Sequence, residues 1–217
     1  MTTTAEHGSS SLAQTAYDLL EEKLVTLQLP PGALISEGEL IEMTGIGRTP
    51  VREAIQRLAN QELFHVIPRK GLQVTPVSRT GMQQILETRK PLERLIVHRA
   101  ALNARDDQRS NLSAIAREMA LVHEKLDDFL RLDHELDKCV DACANNPFAI
   151  AAVAPFRSHC RRFWYFHRQH VKLSEAISAH ASLARLIARR DATGAEKASD
   201  ATIVVLERLV AGIDRIT

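Results

Sequence analysis

The pattern of apolar positions changes along the chain. Apolar residues at three- and four-residue intervals begin at Leu12 and predict a first helix, which ends before the Pro30-Pro31-Gly32 turn. A short second helix is predicted from residue 37 to about residue 43, with Ser36 as its N-cap. A third helix is predicted to end near Asn60, and its buried face consists of Val51, Ala54, Ile55 and Leu58.

Two short runs rich in β-branched and apolar residues follow, at 64–67 and 72–75. The turn Pro68-Arg69-Lys70-Gly71 separates them, so the pattern predicts a β-hairpin. Thr49 is expected to cap the third helix, with Pro50 at the first helical position, where its missing N–H costs nothing. The order helix, helix, turn, helix, hairpin is typical of a winged helix-turn-helix domain.

After Thr80 no strand pattern is found. Helical patterns are found at about 80–103, 107–125, 127–144, 148–170, 174–190 and 195–215. They are interrupted at Asn103, Asn145-Asn146-Pro147 and Gly194. The predicted fold class is therefore mainly α, with a small β-hairpin in the first domain and a bundle of about six helices in the second. The predicted divisions are a disordered lead-in (1–10), a winged helix-turn-helix domain (11–77) and an all-helical domain (78–217).

Composition narrows the class of protein. The 217 residues are 45% hydrophobic and 25% charged, as in ordinary globular chains. No apolar run approaches the roughly 18 residues of a membrane span, and the N-terminus lacks the order of a signal peptide, so we expect a cytoplasmic protein without membrane contact. Cys139, Cys143 and Cys160 fit a reducing compartment, and we expect them to be buried apolar residues rather than a redox or metal site.

The charge balance is informative only when it is taken locally. The whole chain has 28 basic and 27 acidic residues, which by itself disfavours nucleic acid binding. Residues 1–76 carry six basic against nine acidic residues, but residues 43–76 carry five against two. The third helix and the hairpin therefore form a basic segment that acidic neighbours mask in the total.

The polar face of the third helix carries side chains suited to DNA. A recognition helix presents its N-terminal residues to base edges in the major groove, arginine can bind guanine bidentately, and a basic hairpin tip suits the DNA backbone or the minor groove. The predicted DNA-binding residues are Arg48, Thr49, Arg52, Gln56, Arg69, Lys70 and Gly71. In the alternative interpretation the arginines form a solvated helix start and the hairpin is a structural cap.

The segment PPGALISEGELIEMTGIGRTPVREAIQRLANQELFHVIPRKGLQV resembles the GntR family of bacterial transcription regulators. The run from Arg48 to Ala54 matches the family pattern without a gap, and so does Arg69-Lys70-Gly71. Gly47 replaces the usual serine, and Gly38 lies where many members have an arginine that reaches DNA. The resemblance implies DNA contacts at Arg48, Thr49, Arg52 and the wing, and none at residue 38.

The helical part resembles the C-terminal effector domain of the FadR-type subfamily. The pattern Arg89-x-x-Leu92-Glu93 matches, and later landmarks fall at Asp133, Asn145-Asn146-Pro147, His180 and Arg190-Asp191. The resemblance implies a small-molecule effector, often an organic acid, whose carboxylate needs a cationic partner. The predicted effector-binding residues are Arg89, Asp133 and His180. Helix 148–170 carries four arginines and a run of aromatic residues, and one of its faces could line the effector pocket. The favoured interpretation instead places the arginines in solvent or at a dimer contact and the aromatic residues in the core.

Many such domains hold one divalent metal ion with one aspartate and three histidines. Here Asp133 and His180 match, whereas Asp137 and Thr202 occupy the other two positions. The resulting Asp133, Asp137 and His180 set suits a harder ion such as Mg²⁺ or Mn²⁺ better than Zn²⁺. The alternative is a metal-free domain in which His180 is a hydrogen-bonded core residue.

Together these observations predict a ligand-responsive transcription regulator rather than an enzyme, and repression is the commoner mode in the family it resembles. As a homodimer it would bind a near-palindromic operator on double-stranded DNA, and an effector in the helical domain would change operator affinity. Two alternatives stay open: a metal-dependent enzyme that uses Asp133, Asp137 and His180, and a constitutive DNA-binding repressor whose effector site has decayed.

Overall fold

A computed structural model describes residues 11–123 and 125–213. The chain divides into two compact units between Val77 and Ser78. The first unit contains α1 (Leu12–Val25), β1 (Leu34–Ile35), α2 (Glu37–Thr44), α3 (Arg48–Asn60), β2 (Phe64–Ile67) and β3 (Gly71–Val74). The predicted lead-in, residues 1–10, lies outside the described residues.

Helices make up the described part of the second unit. In chain order they are α4 (Arg79–Asn103), α5 (Asp106–Met119), α6 (Leu126–Ala144), α7 (Pro147–Phe166), α8 (Leu173–Ala188) and α9 (Ala192–Gly212). A short 3-10 turn, Arg168–His170, precedes α8. The predicted fold class is confirmed. Within the described ranges, no helix combines the length and apolarity that a bilayer span requires.

Local signals set the boundaries of the short helix α2. The Ser36 hydroxyl accepts a hydrogen bond from the Glu39 N–H at 3.2 Å, and the Glu39 carboxylate accepts one from the Ser36 N–H at 2.8 Å. This capping box satisfies donors that a helix start leaves unpaired. At the other end Gly45 adopts φ +66°, which glycine reaches without strain.

The expected start of α3 is wrong by two residues. The helix begins at Arg48 and its N-cap is Gly47, which offers no side-chain acceptor. Thr49 is therefore the second helical residue and Pro50 the third. Proline is tolerated there because the first four N–H groups of a helix have no intrahelical partner. Its presence therefore identifies the first turn of a helix but not which residue begins it.

The sheet of the winged unit has three strands in the order β1-β3-β2, all antiparallel. The sequence predicted only the hairpin of β2 and β3. β1 was missed because it is two residues long, pairing Leu34 with Gln73 and Ile35 with Leu72. At Gly71, where φ is +96°, a Cβ would lie 2.8 Å from the Ile35 carbonyl oxygen, so the close approach of β1 requires glycine.

The helical unit is built around α4, which packs against α6, α7 and α9. Three predicted boundaries are wrong. α5 ends at Met119 instead of residue 125, α7 ends at Phe166, and α9 begins at Ala192 because the Asp191 carboxylate caps it by accepting from the Gly194 N–H at 2.8 Å. Gly194 therefore lies in the first turn of α9 and does not interrupt a helix. The three cysteines are buried, as expected, and they are free thiols.

Candidate functional site: the recognition helix and the polar centre

The helix α3 separates its apolar residues from the predicted DNA-binding residues. Its buried residues are the four that the apolar pattern identified. On the other side the side chains of Arg48 and Arg52 are 72% and 59% exposed, and Thr49 and Gln56 are also exposed. The face that would enter a major groove is thus open to solvent and carries both arginines.

A carboxylate of α2 contacts this face. The Arg52 Nε–H donates to both carboxylate oxygens of Glu37, at 2.8 Å each, and the Arg48 Nε lies 3.8 Å from the same carboxylate. Sequence reasoning missed Glu37, because residues 15 positions apart with no shared helical face gave no spacing signal. The contact uses Nε of Arg52, and among residues 11–123 and 125–213 no hydrogen bond occupies its two terminal amino groups, which are the donors for a base or a phosphate.

The wing tip places two cations in solvent. Arg69 adopts φ +66° in the turn between β2 and β3, and Arg69 and Lys70 are exposed. Gly71 is only half-buried and its conformation is explained by its approach to β1. The two side chains are therefore the better candidates for DNA contact within the wing, and Gly71 has a structural role that does not need DNA.

A cluster of charged side chains lies inside the helical unit, and we call it the polar centre. It combines residues of four helices whose side chains are at most about one-fifth exposed: Arg89 and Glu93 (α4), Asp133, Asp137 and Asp141 (α6), Arg157 and Arg161 (α7), and His180 (α8). Buried charges need partners, because their desolvation is otherwise too costly.

Arg157 is the most fully paired member. Its Nε–H and Nη2–H donate to the two carboxylate oxygens of Glu93 at 2.9 and 2.8 Å, a bidentate pair. Its Nη1–H donates to both oxygens of Asp141 at 2.9 and 2.8 Å. The side chain is only 4% exposed, so Arg157 ties α4, α6 and α7 together.

Glu93 also accepts from the Arg89 Nε–H at 2.9 Å. Burial alone would raise the pKa of Glu93, but the charges and hydrogen bonds of Arg157 and Arg89 outweigh it and hold the pKa at about 2. Glu93 is therefore ionised at neutral pH and is shared by two arginines.

Asp137 lies between two arginines one helical turn apart. Its Oδ1 is 3.3 Å from the Arg157 Nε, and its Oδ2 accepts from the Arg161 Nη1–H at 3.1 Å. Burial raises the pKa of Asp137 to about 7, the arginines oppose the rise, and the nearby carboxylates of Asp133 and Glu93 add to it. Its negative charge is thus the least favoured in the cluster.

Asp133 and His180 form a second contact in the polar centre. The Asp133 Oδ1 lies 3.2 Å from the His180 Nε2, and the His180 Nδ1 lies 2.7 Å from the Ala176 carbonyl oxygen. Burial would lower the pKa of His180, but the hydrogen bond and charge of Asp133 raise it above its usual value. Burial would raise the pKa of Asp133, but the hydrogen bond and charge of His180 hold it well below its usual range. A protonated His180 therefore has an acceptor at each ring nitrogen.

The proposed metal ligands are only partly brought together. Asp133 and His180 are in contact, whereas Asp137 is held by the two arginines, and Thr202 donates its hydroxyl to the Ser199 carbonyl at 2.8 Å. Across the described ranges, no group of three or more His, Cys, Asp or Glu side chains is arranged to hold a metal ion. The residues as arranged do not fit a divalent metal, because the second carboxylate faces guanidinium groups and the fourth position is a hydrogen-bond donor to the backbone.

The favoured position of the arginines of helix 148–170, in solvent or at a dimer contact, is wrong for three of the four. Arg157, Arg161 and Arg162 are 4%, 11% and 1% exposed, and Arg168 lies in solvent beyond the helix. The missed signal was the matched spacing of charges, since the i, i+4 pair on α7 (Arg157, Arg161) faces the i, i+4 pair on α6 (Asp137, Asp141). The expectation that the aromatic residues lie in the core is confirmed for Phe163 and Trp164, which are buried, but it is wrong for Phe166, which is 46% exposed at the end of α7.

A winged helix-turn-helix unit followed by a helical unit with a buried polar centre defines a two-domain DNA-binding regulator. Residues 12–74 match the model of the bacterial regulatory proteins of the gntR family, and residues 84–204 match that of the FCD domain. The chain belongs to the GntR family of transcription regulators, with an FCD effector-binding domain. The prediction that it is a regulator and not an enzyme is confirmed, and the enzyme alternative is set aside.

Curated relatives have regulator names. The HTH-type transcriptional repressor RspR of Escherichia coli K12 is 26% identical over 188 residues, which is 85% of this chain and 82% of that protein. A fatty acid metabolism regulator protein of Edwardsiella ictaluri is 26% identical over 204 residues, covering 84% and 83%. Among solved structures, Escherichia coli McbR/YncC has a TM-score of 0.80 at 20% identity and covers 95% of this chain and 99% of its own, which shows the shared fold.

Proposed function

We propose that the protein acts as a homodimeric repressor that binds a near-palindromic operator, and that a small organic acid in the helical domain changes its operator affinity. The observation that carries the proposal is the pairing of an open, arginine-bearing recognition helix with a buried, arginine-rich centre in one chain. The first reads DNA and the second suits a carboxylate, so the protein has the two distinct sites that allosteric coupling requires.

The predicted DNA contacts follow from exposure and charge. Arg52 and Arg48 project from the first turns of α3, where a recognition helix meets base edges. Arg69 and Lys70 would bind the backbone or the minor groove from the wing tip. Because the basic segment is small, operator affinity depends on a few side chains and non-specific binding is weak.

Self-association is supported by apolar residues at the surface of the helical unit. Leu95 and Leu102 lie seven residues apart on α4, hence on one helix face, and are 45% and 57% exposed. In the proposed dimer these two leucines contribute apolar area to the contact between the subunits. A twofold dimer would give the operator its near-palindromic symmetry.

The test is operator binding by the full chain. Labelled duplexes that tile the region upstream of its own and neighbouring genes are titrated by fluorescence anisotropy, and the molar mass in solution is measured by light scattering. We expect a dimer and one duplex bound at least about a thousandfold more tightly than a scrambled one. A monomer, or equal affinity for all duplexes, would contradict the proposal. Specific binding that no small acid alters would instead favour the constitutive repressor.

A further inference from the structure

We propose that the polar centre binds the carboxylate of its ligand through Arg161 and without a divalent metal ion, and that this carboxylate takes the place of Asp137. The inference deepens the proposed function and rests on its assignment of an acidic effector. The family resemblance implies a metal ion as the cation of such a site. In this chain guanidinium groups supply the positive charge.

The two arginines of α7 differ in how their donors are used. Arg157 donates its hydrogen bonds to Glu93 and Asp141, and these contacts link α4, α6 and α7. Among the described residues, Arg161 makes one side-chain hydrogen bond, from Nη1 to Asp137. A guanidinium has five N–H donors, so Arg161 has donors that its contact with Asp137 does not use.

The partner of Arg161 is itself a carboxylate that can be exchanged. Asp137 and Arg161 are 16% and 11% exposed, so the pair lies at the edge of the polar centre and solvent reaches it. A ligand carboxylate is chemically equivalent to the Asp137 carboxylate and could accept two parallel N–H bonds from Arg161, where Asp137 accepts one. The Asp137 side chain thus acts as an internal competitor for the ligand.

A divalent cation would meet a different environment. To reach Asp133 and His180 together with Asp137, it would have to separate Asp137 from two guanidinium groups at 3.1 and 3.3 Å. Arg161 would then lose its carboxylate partner, and both guanidinium groups would lie close to the new charge. Like charges at such distances repel strongly in a low-dielectric interior, which favours carboxylate binding over metal binding.

The experiment measures ligand binding by the full chain without DNA. Protein treated with a chelator and then dialysed is titrated with Mn²⁺ or Zn²⁺ alone, and separately with sodium acetate, malonate or citrate against sodium chloride at equal ionic strength. Thermal unfolding and calorimetry are the readouts. We expect no saturable response to either metal ion and a saturable rise in Tm with at least one carboxylate.

Four variants assign the site. Asp137→Asn should bind that carboxylate about tenfold more tightly, because the internal competitor is weakened. Arg161→Gln should lose the response, and Arg161→Lys should weaken it, because lysine keeps the charge but lacks the planar fork. Arg168→Gln, which changes an exposed arginine after α7, should bind as the wild type does.

The double variant Asp137→Asn/Arg161→Gln is the control for loss of folding in Arg161→Gln. It removes both charges of the pair, and it should fold, as judged by circular dichroism, without responding to carboxylate. Three results would overturn the proposal: one metal ion per chain that is lost in Asp133→Ala, a carboxylate response that survives Arg161→Gln, or no response to any of the three acids in both the wild type and Asp137→Asn. Since none of these measurements involves DNA, failure to find an operator would refute the proposed function alone.

Discussion

Glu37, at the first position of α2, holds Arg52 of α3 through Nε, with both carboxylate oxygens 2.8 Å from that nitrogen. The contact crosses the helix-turn-helix and fixes one end of the guanidinium. Because Nε is occupied, the terminal amino groups are the donors that remain for DNA. Glu37 therefore orients the arginine that is predicted to read a base.

Arg52→Ala should weaken specific operator binding by about 1–3 kcal/mol, as expected for an arginine that reads a base. The measurement is the affinity for operator and for scrambled duplex at one salt concentration. Arg57→Ala is the matched control, because it removes the same charge from the same helix but from a side chain that lies over the Tyr17 ring at 4.1 Å. Equal losses in the two variants would show that Arg52 contributes only charge.

Glu37→Gln should lower the ratio of specific to non-specific binding by about threefold to fivefold, which corresponds to roughly 1 kcal/mol, the upper value for an exposed ion pair. The variant loses the carboxylate that orients Arg52 and at the same time removes a negative charge from the DNA-facing surface. Non-specific affinity is therefore expected to rise while operator affinity does not. An unchanged ratio would mean that Arg52 is oriented by DNA alone. Glu53→Gln, which alters an exposed acid on α3, serves as control.

Lys70→Ala should weaken binding to operator and scrambled duplex by similar factors, because a wing lysine that contacts phosphate carries no sequence information. The slope of log affinity against log salt should become shallower by about 1. Affinities at four salt concentrations from low to physiological ionic strength give this slope. A selective loss for operator would instead place Lys70 on a base.

How far the sequence predicted the fold depended on the range of the interactions. The N-cap at Ser36 and the helix end at Asn145 are local and were predicted from the residue types; the structure adds the capping box with Glu39 and the left-handed conformation of Asn145, with φ +49°. β1 was not, because two residues carry no alternation and the strand exists only through its pairing with β3. The ends of α5 and α7 were also predicted too late along the chain.

The site was predicted unevenly for the same reason. Exposed DNA-binding candidates follow from one amphipathic helix, so the pattern located them. The polar centre needs four helices at once, and the resemblance pointed to Arg89, Asp133 and His180 but not to Arg157 or Arg161. For those two the sequence favoured solvent or a dimer contact over a pocket-lining face, since arginine is seldom buried unless it is paired. Their partners on α6 became apparent only when both helices were placed.

Glu93→Gln should destabilise the helical domain by about 3 kcal/mol, because it leaves Arg157 and Arg89 buried with less negative charge nearby. Unfolding in urea, monitored by circular dichroism, gives the free energy of unfolding. Glu175→Gln is the control, since its ion pair with Arg208 at 3.0 Å is exposed and should contribute less than about 1 kcal/mol. Similar effects of the two substitutions would contradict the view that Arg157 ties three helices together.

Asp137→Asn should change how stability depends on pH. Because burial raises the pKa of Asp137 to about 7, the folded state holds a proton that the unfolded state releases near pH 4. Its contribution to stability is full below the unfolded pKa and is lost as pH rises through the folded one, so it falls between about pH 4 and 7, by at most about 1.4 kcal/mol per pH unit for one proton. The asparagine cannot ionise and should show a shallower decline.

The measurement compares urea unfolding of the wild type and Asp137→Asn at several values between about pH 4.5 and 7.5. The pKa of His180 is also raised, so its contribution to stability likewise falls as pH rises. His180 is present in both proteins, however, and does not cause a difference between them. Asp128→Asn, which removes an exposed carboxylate from α6, should follow the wild type. Parallel curves for Asp137→Asn and the wild type would show that Asp137 is ionised throughout, and the carboxylate would then be a permanent partner of the α7 arginines.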